Sequence, residues 1–166
     1  MIQLNLKDID KAKIMFNYLL QFGFIEEFTK DMITLDTRYT KNTDKDWVAD
    51  FIKDYENSFN PTVSLYKPFW RWSSAYATTY TGDFTKIKLN QYKINRSVAS
   101  LCGSIAHEWR HCLEYYVKQF HPEIQFNHGD NSPVGKETTF QYQLGKAVKA
   151  YIEESGDEFL PFLGLK

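Results

Sequence analysis

His107-Glu108-Trp109-Arg110-His111 lies within a long amphipathic stretch from Ser97 to Phe120, and its reading sets the terms for everything around it. The apolar residues Val98, Leu101, Cys102, Ile105, Trp109, Cys112, Leu113, Tyr116, Val117 and Phe120 recur at three- and four-residue intervals, which predicts a helix with one stripe turned to a core. At about 100° per residue, His107 and His111 fall on the side opposite the centre of that stripe, with Glu108 on its flank. Ser100, Gly103 and Ser104 lie upstream on the same side, and all are small. The expectation is an unobstructed approach to the histidine pair, as on the floor of a cleft.

The spacing carries chemistry. Two histidines four residues apart on a helix project together, and their ring nitrogens can reach one tetrahedral metal at about 2.0–2.1 Å. The glutamate beside the first histidine points to the side, where it can take a proton from an activated water instead of occupying the metal. Zinc is the expected ion, because it lowers the pKa of bound water to about 7 and polarises a carbonyl. A solvated helix face would look different, pairing Arg110 with Glu114 four residues on and leaving both histidines in water.

Two histidines leave such an ion short of a third protein ligand, and four residues downstream are candidates: His121, His128, Asp130 and Glu137. His121, next to Pro122, would project about 15 Å along the axis from His111 if still helical, and is the poorest choice. His128 sits in the turn-rich run Asn127-His128-Gly129-Asp130-Asn131-Ser132-Pro133, which can fold back across the helix, and is the preferred ligand. Glu137 opens a last helix read over Glu137 to Glu154 and is the runner-up.

Upstream, Ile2, Leu4 and Leu6 alternate as in a short strand, and Asp8 or Asp10 caps a helix carrying Ala12, Met15, Phe16, Leu19 and Leu20, stopped by Gly23. Residues 32–39 alternate again. Asp44 or Asp46 then precedes a helix with Val48, Phe51, Ile52, Tyr55 and Phe59 on one face, ending at Asn60-Pro61. An imperfect strand follows from Tyr66 to Tyr80, and its Trp70, Trp72, Tyr76 and Tyr80 are read as a core face. Thr81-Gly82-Asp83 turns the chain so that Phe84 to Asn90 returns as an antiparallel partner, with Lys86 and Lys88 blunting an exposed edge. Either strand of this hairpin offers a place for an extended peptide to pair. The apolar tail, Phe159 to Leu165, can dock on the body or on another subunit.

Composition bounds the function. The 166 residues are 43% hydrophobic and 17% aromatic, enough for one core, so residues 1–166 are read as a single domain. A net charge of −1 and a pI near 6.4 give no global field toward nucleic acid or an anionic membrane, and neither is expected as a partner. No stretch approaches the roughly eighteen apolar residues of a membrane span, and the N-terminus lacks a signal-like pattern, so a cytoplasmic protein is expected. Cys102 and Cys112, about 15 Å apart on one helix, cannot bridge each other and are read as reduced.

The run Asn95-Arg96-Ser97, the His107-Glu108-Trp109-Arg110-His111 helix, His128 to Lys136 and Phe140-Gln141-Tyr142-Gln143-Leu144-Gly145 together resemble the small zincin-like metallopeptidases of bacteriophages and bacteria. The resemblance covers roughly the last 85 residues. It implies an α+β zincin-like domain with His107, His111 and His128 on zinc, Glu108 as general base and acid, and Tyr142 as a group that hydrogen-bonds an oxyanion or a ligand. Gln141 stands where the family carries a proline. The implied activity is hydrolysis of a peptide or protein substrate. A catalytically silent, zinc-stabilised binding protein, for example one acting on a host factor, is the alternative.

Overall fold

A computed structural model describes residues 6–32, 35, 38–55, 60–126, 128, 132–159 and 164. In chain order the elements are α1 (Leu6–Gln21), α2 (Phe24–Lys30), β1 (Thr40–Lys41), α3 (Lys45–Tyr55), β2 (Thr62–Tyr66), β3 (Ala77–Thr78), β4 (Lys86–Asn90), α4 (Val98–Val117), β5 (Gln125–Phe126), α5 (Pro133–Thr138) and α6 (Phe140–Phe159). The class is α+β, as the sequence predicts. Residues 2–5, half of 32–39, Phe59, Asp130 and most of the tail, on which expectations were also placed, lie outside the described residues.

Helix α4 is the axis of the domain. Its N-terminus is closed by Ser97, whose hydroxyl accepts the Ser100 N–H at 3.2 Å, satisfying one of the donors a first turn leaves open. Most of the predicted stripe is buried: Leu101, Cys102, Ile105, Trp109, Cys112, Leu113 and Val117 are shielded from solvent and Val98 and Tyr116 half-buried, but the helix ends at Val117, short of Phe120, which is 57% exposed. Helix α1 packs along it, with the Phe16 ring edge-on to Trp109 at 5.8 Å between centroids. Both cysteines are free and buried, and burial pushes both thiols up, away from the reactive thiolate.

Local signals place the flanking helices. Gly23, at φ +80°, ends the α1 turn as read from the sequence, but the chain re-enters a helix at once, and α2 had no periodic signal long enough to announce it. Asp44 caps α3, its carboxylate accepting the N–H groups of Asp46 at 2.8 Å and Trp47 at 3.2 Å. The single helix expected from Glu137 is instead two. Thr139, extended at φ −115° and ψ 147°, separates α5 from α6, and its hydroxyl bonds back to the Gly135 carbonyl at 2.6 Å.

The sheet departs from a simple hairpin. The turn forms where expected, with the Asp83 N–H donating to Tyr80 O at 2.9 Å and Gly82 at φ +82°, and β3 pairs antiparallel with β4. On the other side of β4, however, β2 pairs in parallel, so the order is β2-β4-β3 and β4 is the central strand. Lys86 and Lys88 therefore do not guard an edge. They are the outward half of an alternation whose inward half, Ile87 and Leu89, is completely buried. The aromatic face read as core is also corrected: Trp70, Trp72, Tyr76 and Tyr80 are 60, 80, 52 and 52% exposed, because the chain leaves the sheet as a loop before β3, which is only Ala77–Thr78, and enters a turn at Tyr80 just after it.

Helix α6 crosses α4 at Gly103 and Gly145. A Cβ added to Gly103 would stand 2.6 Å from the Gly145 carbonyl oxygen, and one added to Gly145 would stand 2.9 Å from that of Gly103. The small residue thought to leave a cleft floor is thus the seat of a helix crossing. Ser100 and Ser104 accept from the Arg96 guanidinium at 3.2 and 2.9 Å. Among the described residues no helix is long and apolar enough to cross a membrane.

Gly103→Ala gains about 0.8–1 kcal/mol of helix propensity against roughly 1–3 kcal/mol of overpacking. The atom it meets is main chain and cannot swing away, so overpacking wins. The expected outcome is a net loss of up to about 2 kcal/mol, read as a lower urea midpoint; an unchanged midpoint would show that the helices part freely.

Candidate metal centre

The crossing places the first half of α6 beside the polar side of α4. Gly145 is also what admits His107: a Cβ there would come within 3.3 Å of the His107 Cβ. One turn earlier on α6, Tyr142 lies against His107 with ring centroids 4.6 Å apart. The Gln141 main chain is near enough to the His107 ring to raise its pKa against the pull of burial. Gln141 itself is completely buried and its side-chain amide donates to the Phe126 carbonyl, tying the start of α6 to β5.

His128 arrives from the far side, just beyond β5. Phe126 anchors that strand, fully buried against Phe140 at 5.3 Å between centroids, and β5 pairs antiparallel with β1. The His128 ring lies 5.3 Å from His107, 4.7 Å from His111 and 5.1 Å from Tyr142, centroid to centroid. Each of the three histidines offers a nitrogen, and the three nitrogens lie within 4.8 Å of one another. A tetrahedral ion at about 2.0–2.1 Å from each would need donors roughly 3.4 Å apart, a spacing inside that limit.

Protonation favours the same reading. Burial pulls His107 down to about 3, with the neighbouring His128 adding to the effect and the Gln141 main chain opposing it. His111 is likewise pulled well down by burial and by His107 and His128. Three imidazoles this close resist carrying charge together, and neutral imidazole is the form that binds a metal. The donor set therefore fits a borderline-soft ion such as zinc.

Glu108 stands apart from this trio and is 7% exposed. Its Oε2 accepts the Thr79 hydroxyl at 3.1 Å, and the Thr79 main chain bonds it as well. Burial raises Glu108 to about 7, with the two Thr79 bonds holding it below what burial alone would impose. Tyr142 and Tyr66 are both raised, first by burial and then by the charge of Glu108, so both hydroxyls share its surroundings. Thr79 follows β3 directly. Sequence reading missed it, since a threonine in a strand-like run has no signal separating a carboxylate partner from a surface position.

The remaining candidates are elsewhere. Glu137 is exposed on α5, and His121 packs edge-on against Trp47 at 5.3 Å and lies 3.5 Å from Glu123. Asp130 lies outside the described residues. The solvated-face alternative fails on burial: Arg110 is fully buried with its guanidinium donating to Thr29 at 2.6 Å, while Glu114, 1% exposed, pairs with Lys118 at 2.6 Å.

Alanine at His107, His111 or His128 is expected to weaken zinc binding by more than the roughly 10–100-fold typical of outer-contact changes, whereas His121→Ala and Glu137→Ala leave it unchanged. Competition against a chromogenic chelator measures this; equal affinity in His128→Ala would remove that residue from the set.

Comparison of the chain with protein-family models, with curated proteins and with solved structures finds no match.

Proposed function

We propose that this chain is a zinc-dependent metallopeptidase of the zincin type. The observation that carries the reading is the convergence of His107, His111 and His128 beside a buried carboxylate, Glu108, that is held off the trio by Thr79. Zinc bound there would polarise a scissile carbonyl and lower the pKa of a water to about 7.

The chain's own groups supply the rest. His107 and His111, kept neutral by burial, would hold the ion together with His128. Glu108, fixed by Thr79 and raised to about 7, takes a proton from the attacking water and returns it to the departing amine. The Tyr142 hydroxyl, protonated at neutral pH as a phenol ordinarily is and held so the more firmly by burial and Glu108, is a donor available to a developing oxyanion. Strand β3 is an edge of its sheet among the described residues and runs directly into Thr79, so an extended peptide paired along it would pass Glu108. The substrate is accordingly a peptide or protein segment in extended form.

Glu108→Gln is expected to retain zinc and to lose about 10²–10⁴-fold in turnover, measured with the zinc-loaded protein on a peptide library. Zinc retention with unchanged hydrolysis would remove Glu108 from the mechanism. No cleavage by the wild type, with a partner still bound by Glu108→Gln, would replace the enzyme with a zinc-stabilised binding protein. Tyr142→Phe is expected to lower kcat by about 10²–10³-fold with KM little changed, as for loss of one oxyanion donor; a change confined to KM would make Tyr142 a binding group only.

A further inference from the structure

The loop between β2 and β3 presents large apolar rings to water. Phe69, Trp70 and Trp72 are 90, 60 and 80% exposed. A turn closed by the Ser73 N–H to Trp70 O at 3.1 Å raises them together. Phe69 sits edge-on to Trp70 at 5.0 Å, and Trp70 stacks on Trp72 at 6.0 Å with 19° between planes. Rings held this way form one contiguous patch, and such a patch marks an interaction site more often than a chance exposure.

Charge identifies the partner's chemistry. From Pro61 to Ser100 the chain carries Lys67, Arg71, Lys86, Lys88, Lys93 and Arg96 against the single acid Asp83, in a protein whose net charge is −1. Asp83 is held by Thr85 and lies 3.6 Å from Lys86, and Arg96 turns inward to Ser100 and Ser104, which leaves Lys67, Arg71, Lys88 and Lys93 uncompensated within this segment. Arg71, between Trp70 and Trp72 in the chain, lies 5.7 Å from the Tyr92 ring, and Lys88 and Lys93 lie 4.5 and 5.7 Å from the rings of Tyr80 and Tyr76, so the cations of this segment sit against its aromatics. The partner must therefore be both apolar and anionic.

We infer that this loop docks the protein on an anionic membrane surface, with Phe69, Trp70 and Trp72 entering the headgroup boundary and the cations meeting acidic lipid. Trp is a ring of that boundary, apolar in body with a polar edge, and lysine and arginine reach back from it to the headgroups. A bilayer interface also accommodates a protruding loop of any shape, whereas a folded partner would need a matching cavity. Single-stranded nucleic acid fits less well, since Trp70 and Trp72 already spend one face of each ring on the other. This inference stands apart from the metal centre, and it revises the expectation from net charge that no membrane is involved.

The test is binding of the full chain to vesicles of phosphatidylcholine alone and of phosphatidylcholine mixed with phosphatidylglycerol, followed by flotation and by tryptophan emission. Anionic vesicles are expected to bind more tightly, by about fivefold for each cation engaged, with a blue shift that salt diminishes. Phe69→Ala and Trp72→Ala are each expected to weaken binding roughly tenfold or more, with the fold intact by circular dichroism because both side chains are exposed. His107→Ala should bind vesicles like the wild type, which separates this outcome from that of the metal centre. Failure to bind anionic vesicles, equal binding to neutral ones, or unchanged binding in Phe69→Ala and Trp72→Ala would each overturn the inference, and so would capture of a single-stranded oligonucleotide in place of vesicles.

Discussion

Two helices in this domain touch main chain to main chain. At the crossing of α4 and α6, Gly103 and Gly145 each occupy space that a methyl group would deny to the other. Ordinary helix pairs are held some 8–10 Å apart by their side chains. Removing the side chains at the contact brings the axes closer, and the consequence here goes beyond packing. Gly145 is also the residue whose missing Cβ leaves room for His107, so the constraint that sets the helix spacing sets the depth of the candidate metal centre. Tyr142 and the Gln141 main chain reach His107 because α6 sits this near.

The same helix α4 faces two environments, and its central motif divides between them. His107 and His111 turn to His128 and to Tyr142 of α6, while Trp109 packs on Phe16 of α1 and Arg110, also fully buried, lies between Trp109 and Phe140 at the start of α6. Arg110 is an unusual core residue. Its guanidinium lies 5.5 Å from the Trp109 ring and 5.4 Å from Phe140, donates to Thr29, and has its pKa lowered to about 9 by burial. Burying a cation costs heavily unless its surroundings return much of that energy, and cation–π contacts with one hydrogen bond return part of it. Thr29 in turn bonds the Ile25 carbonyl, so Arg110 links α4 to α2, a helix close to α6. Glu108 lies on the flank of α4 where β3 ends, and Thr79, just past that strand, supplies its partner.

Net charge conceals how the protein's charges are arranged. Acids and bases nearly cancel over the whole chain, yet the segment from β2 to the start of α4 is strongly basic and carries the exposed aromatics. Screening limits a charge's influence to about 8–10 Å at ordinary ionic strength, so a partner meets the local segment and not the sum.

Much of the architecture was legible in the residues alone because it is governed by neighbours a few positions apart. The 3.6-residue period named the buried stripe of α4, Ser97 and Asp44 announced helix starts, Gly82 marked a left-handed turn, and histidines four apart had to share a face. His128 was singled out for its turn-rich surroundings, and its ring does lie beside the pair. Periodicity, however, says which side chains point together and nothing about what comes to cover them. A two-residue alternation made Trp70, Trp72, Tyr76 and Tyr80 look like core, and only the path of the loop left them in water. Gly103 read as open space until α6 was laid on it, Thr79 acquired its role only when β3 ended beside α4, and β4 became a central strand only when β2 arrived in parallel. Each of these depends on contacts between residues distant in sequence, and those are settled by how whole elements exclude one another's volume, a property that no local pattern encodes.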